Sequence, residues 1–360
     1  MGNSCFAFPG LVGCFMTVSL DALSVREFPR EWPDNHRRCP VDTHRSTGWH
    51  DAWQEGSAPL VGLLGEGDVP VTVLDGVLSA GAGALGGDER LVASLPLPRH
   101  SELPDLWQVL PPSLAVLCVP PPWQHGAVFR RSAVARLGGL TQPAARPGGE
   151  LFWQLTWQLL QAGGVCNLQP REELPDQPPV HYPPLTPTPI PGGRAWLREA
   201  LREDLSKQVA RLPGAACDRA ALQAGVWQLH GELDESHRFS QAHEGHGKYQ
   251  LCDQWHAIMH RREPDYGNAK YWVRQLPESP HWKELGKIVA RWFENDVPAA
   301  VDRWRQRLLG PGGWKPLVQV DLAQAAAGEP TLDHFARRVQ WAEMLLLLQQ
   351  TWQQCQSRHD

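Results

Sequence analysis

Short apolar runs set between Gly and Pro fill the first 170 residues: PLVGLL, VPVTVL, RLVASLPL, LAVLCVP and GAVF. Runs of this length with such boundaries predict buried strands. Segments near 74–85, 131–137 and 150–162 have helical spacing between them, and the alternation predicts an α/β domain over residues 1–170. The apolar N-terminal stretch FAFPGLVGCFMTV has no basic residue before it. It reads as a first strand and not as a signal sequence, which needs a basic leader, nor as a span, which needs about 20 apolar residues.

From Ala195 the period changes. AWLREALREDLSKQVARL places apolar residues three and four apart, and similar spacing predicts helices over 218–233, 250–262, 267–275, 281–294, 298–308 and 331–355. The last carries a broad Leu/Trp stripe. An all-α domain over 195–360 is expected. The segment 171–194 between the two is proline-rich and reads as a semi-rigid linker.

Composition narrows the function. The 360-residue chain has a net charge of −5, which argues against a nucleic-acid binder. Its 8 cysteines are scattered without CxxC spacing, so neither a disulfide framework nor a zinc ribbon is expected, and reduced cytoplasmic thiols are the default. The 17 tryptophans leave room for a docking surface, with Trp196, Trp304 and Trp314 as its exposed members.

The densest chemistry lies in HAIMHRREPDYGNAKYW, His256 to Trp272. On a helix His256 and His260 share a face, and Glu263 follows three residues on. Pro264 ends that helix, and Asp265 is placed to cap the next. Upstream, LHGELDESHRF brings Asp234 and His237 to or near a helix end. Asp234, His237, His256, His260 and Glu263 form a candidate site for a divalent metal or for acid/base work. Arg261, Arg262, Tyr266, Asn268 and Lys270 are candidates to grip an anionic substrate. The same residues also suit a structural network that staples helices, with Trp255 and Trp272 in the core. The stretch resembles a recurring helical module to which no activity attaches.

In the first half, Phe129-Arg130-Arg131, Leu137-Gly138-Gly139-Leu140 and Gly149-Glu150 opening an amphipathic helix resemble the acceptor-side segment of family 2 glycosyltransferases. GWHDAWQEGSAPLVGLLGEGDVPV resembles the stretch that carries their DxD motif. The resemblance implies a GT-A-like α/β domain with an incomplete nucleotide-binding half. It implies a nucleotide-sugar donor, Asp68 with Glu66 as ligands to Mg²⁺ or Mn²⁺, and Glu150 as general base. Asp42, Arg130 and Arg131 would contact substrate. The family's opening strand has no close counterpart here. Three functions stay open: a glycosyltransferase or its degenerate relative, a helical-domain enzyme using the His256/His260 corner, and a binding or scaffold protein.

Overall fold

A computed structural model describes residues 4–8, 11–18, 60–65, 85, 88, 90–98, 103–120, 127–138, 148–171, 182–292 and 298–357. The chain forms two compact units. The first comprises Met1–His100 with Pro120–Pro178, and the second Ser101–Val119 with Pro179–Asp360.

The first unit is built on a mixed sheet of six strands: β1 (Ser4–Phe8), β2 (Leu11–Val18), β3 (Leu60–Gly65), β4 (Leu91–Pro98), β5 (Ala127–Arg130) and β6 (Val165–Arg171), in the order β1-β2-β3-β5-β4-β6. β2 and β3 run parallel, as do β4 and β6, while β5 lies antiparallel between β3 and β4. The runs around Leu60, Leu91 and Ala127 thus form the strands expected of them. VPVTVL and the helical candidate 74–85 fall outside the described residues, apart from Leu85. Among the described side chains, Val92, Ala93, Leu95 and Phe129 from the sheet are buried together with Trp153, Leu155 and Leu159.

The second unit is helical. LAVLCVP, expected as a strand, belongs here instead. After α1 (Leu106–Val109), α2 (Pro112–Cys118) takes that run, with Leu114 to Cys118 all buried. A short, uniformly apolar segment has no period to tell strand from helix. Pro112 at the first turn settles it, since its fixed φ suits a helix start and it has no N–H for a strand ladder. α3 (Arg131–Arg136) and α4 (Gly148–Gln161) belong to the sheet unit.

Beyond Pro179 come α5 (Ala195–Ala200), a π-helical turn (Leu201–Leu205), α6 (Ser206–Ala210), α7 (Ala216–Leu229), α8 (Leu233–Gln241), α9 (Leu251–Arg262), α10 (Tyr266–Val273), α11 (Pro280–Arg291), α12 (Ala299–Leu308), α13 (Pro316–Ala325) and α14 (Pro330–Gln356). The helix expected over 218–233 ends at Leu229, and α8 begins at Leu233. Gly231 separates them with φ +76°, where a Cβ would lie 2.5 Å from the Thr188 carbonyl oxygen. Every residue of α9 is buried, so it runs through the middle of the unit. Gly225 of α7 lets it come that close: a Cβ there would sit 2.5 Å from the Trp255 ring and 2.9 Å from Leu348. A second apolar cluster gathers Leu285, Val289, Trp314, Phe335, Val339 and Leu346 from α11, α14 and the segment before α13. No helix among the described residues is long and apolar enough to cross a membrane.

Candidate metal centre

α9 ends where Pro264 requires it to. Glu263 is its C-cap, and the Asp265 side chain accepts from the Asn268 N–H at 3.0 Å to start α10. That corner folds as expected from the sequence. α8 packs against α9 and brings His237 beside it.

Three imidazoles meet there. His256 and His260 stack with centroids 4.7 Å apart, and their Nε2 atoms are 3.0 Å apart. The His237 ring lies 4.7 Å from His256 and 5.7 Å from His260. One nitrogen from each of the three falls within 4.8 Å of the others. Trp272 covers His256 at 4.2 Å between centroids. His256 is buried, and its Nδ1 has no hydrogen-bond partner. Asn268 Nδ2 sits 3.1 Å from His260 Nε2, and Glu263 Oε2 sits 3.3 Å from His260 Nδ1.

Burial holds the His256 pKa down at about 3, helped by His260 and His237. Burial also lowers that of His260, although Glu263 opposes the shift. Both rings are therefore neutral at neutral pH, and neutral imidazole is the form that donates a lone pair to a metal. Tetrahedral zinc with Zn–N bonds of about 2.0–2.1 Å separates its ligand nitrogens by about 3.4 Å. The 3.0 Å gap between His256 and His260 is close to that spacing.

The other expected site residues are placed elsewhere. Asp234 lies exposed on the first turn of α8, outside the histidine cluster. The cations expected to hold an anionic substrate are engaged with the protein. Arg261 is buried and paired with Glu343. Arg262, 1 % exposed, donates to the Gln228 carbonyl at the C-terminal end of α7. Lys270 pairs with Asp321 at 2.7 Å, and Tyr266 donates to the Ala323 carbonyl. The two arginines are turned inward to a buried carboxylate and to the carbonyl end of a helix, whereas the Lys270–Asp321 pair is part-exposed. The expectation of exposed tryptophans is also corrected: Trp196 and Trp314 are buried, and Trp304 is part-buried beneath the Arg307 guanidinium. Their rings remove far more apolar area from water than a surface position would.

In the sheet unit, Arg130 donates to the carbonyls of Leu91 at 3.0 Å, Asp88 at 3.0 Å and Leu85. It ties β5 to the segment before β4, where a substrate role was expected. Arg131 opens α3. Glu150 stands in the first turn of α4. Asp42, Glu66 and Asp68 lie outside the described residues.

Trp272, expected as core, is buried and also roofs His256. Glu343, engaging Arg261, was visible only as a lone carboxylate inside the stripe WAEMLLLL, a polar interruption that signals a buried partner. Comparison of the chain with protein-family models, curated proteins and solved structures finds no match.

Proposed function

We propose that the helical unit binds a divalent transition-metal ion, of the zinc class, through His237, His256 and His260. One observation carries this reading: three imidazoles with a nitrogen each inside 4.8 Å, on two different helices. The buried His256 Nδ1 has no hydrogen-bond partner and leaves the cluster with an unsatisfied ring nitrogen. Nitrogen-only donors suit Zn²⁺, Cu²⁺ or Ni²⁺ over Mg²⁺ or Mn²⁺, which prefer oxygen. The metal would bridge α8 to α9 and leave a coordination position for an exogenous group. Protein stripped with chelator and dialysed against zinc is expected to retain about one ion per chain. The His256→Ala/His260→Ala variant is expected to retain none. Equal zinc content in both, measured by elemental analysis, sinks the reading.

A second reading concerns the sheet unit: a GT-A-like domain that uses a nucleotide sugar with Mg²⁺ or Mn²⁺. Its support is positional. β3 is a central strand of the mixed sheet, and Glu66 follows its last residue directly, two residues before Asp68. Open α/β sheets bind ligands at the carboxyl ends of their strands. Wild-type protein is expected to gain thermal stability from a nucleoside-diphosphate sugar with Mn²⁺, and Asp68→Ala to lose that gain. No shift with any of the common nucleoside-diphosphate sugars ends this reading.

A further inference from the structure

We infer that Glu263 is the positioning carboxylate of the histidine centre: it holds the Nδ1 proton of His260 and so turns the Nε2 lone pair into the gap shared with His256 and His237. The inference deepens the metal reading, and its affinity arm rests on that reading.

The geometry comes from the end of α9. Glu263 follows His260 by three residues, so their side chains share a helix face. Its backbone N–H still bonds to the Met259 carbonyl at 2.9 Å, so the C-cap remains attached to the helix. Pro264 then turns the chain away, and the carboxylate is left beside the ring with Oε2 3.3 Å from Nδ1.

A carboxylate only accepts hydrogen bonds, so the proton of the neutral ring belongs on Nδ1. The shorter of the remaining contacts agree with that tautomer, and the Asn268 amide lies nearer Nε2, at 3.1 Å, than Nδ1, at 3.4 Å. With Nε2 bare, it accepts from the Asn268 amide at 3.1 Å and from His256 Nε2–H at 3.0 Å. His256 then has its proton on Nε2 and a bare Nδ1, matching the buried atom that has no partner. The closest contacts around His260 fit one arrangement of protons, with Glu263 beside Nδ1. In carboxylate–histidine–metal triads the same arrangement fixes ring orientation and raises the basicity of the ligand. Glu263 is 39 % exposed at its side chain, so the carboxylate also borders solvent at the approach to the cluster.

The test pairs two measurements on full-length protein. The first is the His260 tautomer in metal-free protein, read by long-range ¹H–¹⁵N correlation of the imidazole nitrogens. The second is zinc affinity, read by competition with a chromophoric chelator. In wild type His260 is expected as the Nδ1–H form. In Glu263→Ala the Nε2–H form is expected to become populated, and zinc affinity to fall about tenfold, the low end of the range for outer ligands because the carboxylate is half-exposed. Glu263→Gln keeps an acceptor oxygen at the same reach and is expected to restore the tautomer and much of the affinity. A role confined to capping α9 would move neither readout. An unchanged tautomer in Glu263→Ala overturns the inference, as does zinc affinity within twofold of wild type. If wild-type protein binds no zinc, the metal reading falls by itself and the tautomer arm alone decides the role of Glu263.

Discussion

Replacing Glu343 by Gln is expected to lower the unfolding free energy by about 3–5 kcal/mol, the range for removing one partner of a buried ion pair. Glu343 and Arg261 are each 4 % exposed at the side chain. The carboxylate also accepts from Gln319 Nε2 at 2.7 Å, and Gln319 Oε1 in turn accepts from the Trp314 indole at 3.1 Å. On the other side Arg261 Nε donates to Gln340 Oε1 at 3.3 Å, and Gln340 Nε2 donates to the Leu185 carbonyl at 3.3 Å. The chain of bonds joins α9, α13, α14 and the segment before α5 through one charge. Arg262 adds a second buried guanidinium next to Arg261, with its pKa lowered to about 9, chiefly by burial and then by Arg261. Without Glu343 two adjacent cations remain in the core, and among the described residues no other carboxylate pairs with either. Urea denaturation followed by tryptophan fluorescence measures the loss. A cost under about 1 kcal/mol would mean that water reaches the pair and screens it. The paired change Arg261→Met with Glu343→Leu removes the charge altogether and is expected to be far milder than Glu343→Gln alone.

The second large effect is acid sensitivity. His281 is 3 % exposed, and burial pushes its pKa down to about 3. Its Nδ1 lies 2.8 Å from Ser279 Oγ, and that hydroxyl gives its own proton to Gln350 Oε1 at 3.1 Å. Nδ1 therefore carries the imidazole proton, and the ring is neutral in the fold. In the unfolded chain it titrates near the ordinary value of about 6.5. The unfolded state thus binds more protons below that pH, and stability falls as the pH falls. Between pH 7.5 and 5 the loss from His281 is about 2 kcal/mol. His230 has the same sign. Its pKa is lowered to about 4, by burial first, while its bond to the Leu117 carbonyl opposes the shift. It is part-buried and contributes less. The urea midpoint is expected to drop steadily over this window in wild type and less steeply in His281→Gln. A flat wild-type midpoint from pH 7.5 to 5 would show that the His281 ring is not held neutral.

Where structure followed local chemistry, it was readable in advance. Pro264 and Asp265 dictated the break between α9 and α10, because a missing N–H and a capping carboxylate act within a turn of their own position. The strands at Leu60, Leu91 and Ala127 followed from apolar runs with firm boundaries. α13 was not foreseen, and neither was β6. PLVQVDLAQA has a weak helical period, and VCNLQPR reads as little more than the approach to a proline-rich segment. His256 and His260 were seen to share a face, since four residues make about one helical turn.

Partnership was another matter. His237, but not Asp234, joins the cluster, because the break at Gly231 makes α8 a separate helix and one of its faces meets α9. Arg261, Arg262 and Lys270 read as substrate grips; the two arginines proved to be internal ties, and Lys270 a partner in a part-exposed ion pair. The sequence by itself determined the strands at Leu60, Leu91 and Ala127, most helices beyond Ala195, where the HRREPDYGN corner bends, and which two histidines lie side by side, all consequences of interactions a few residues long. Only the tertiary structure decided that a third imidazole completes the cluster, that Trp272 roofs it, and that the arginines turn inward. Those outcomes depend on which helix faces pack together, and that choice is made by burial summed over the whole unit, not by any residue's near neighbours.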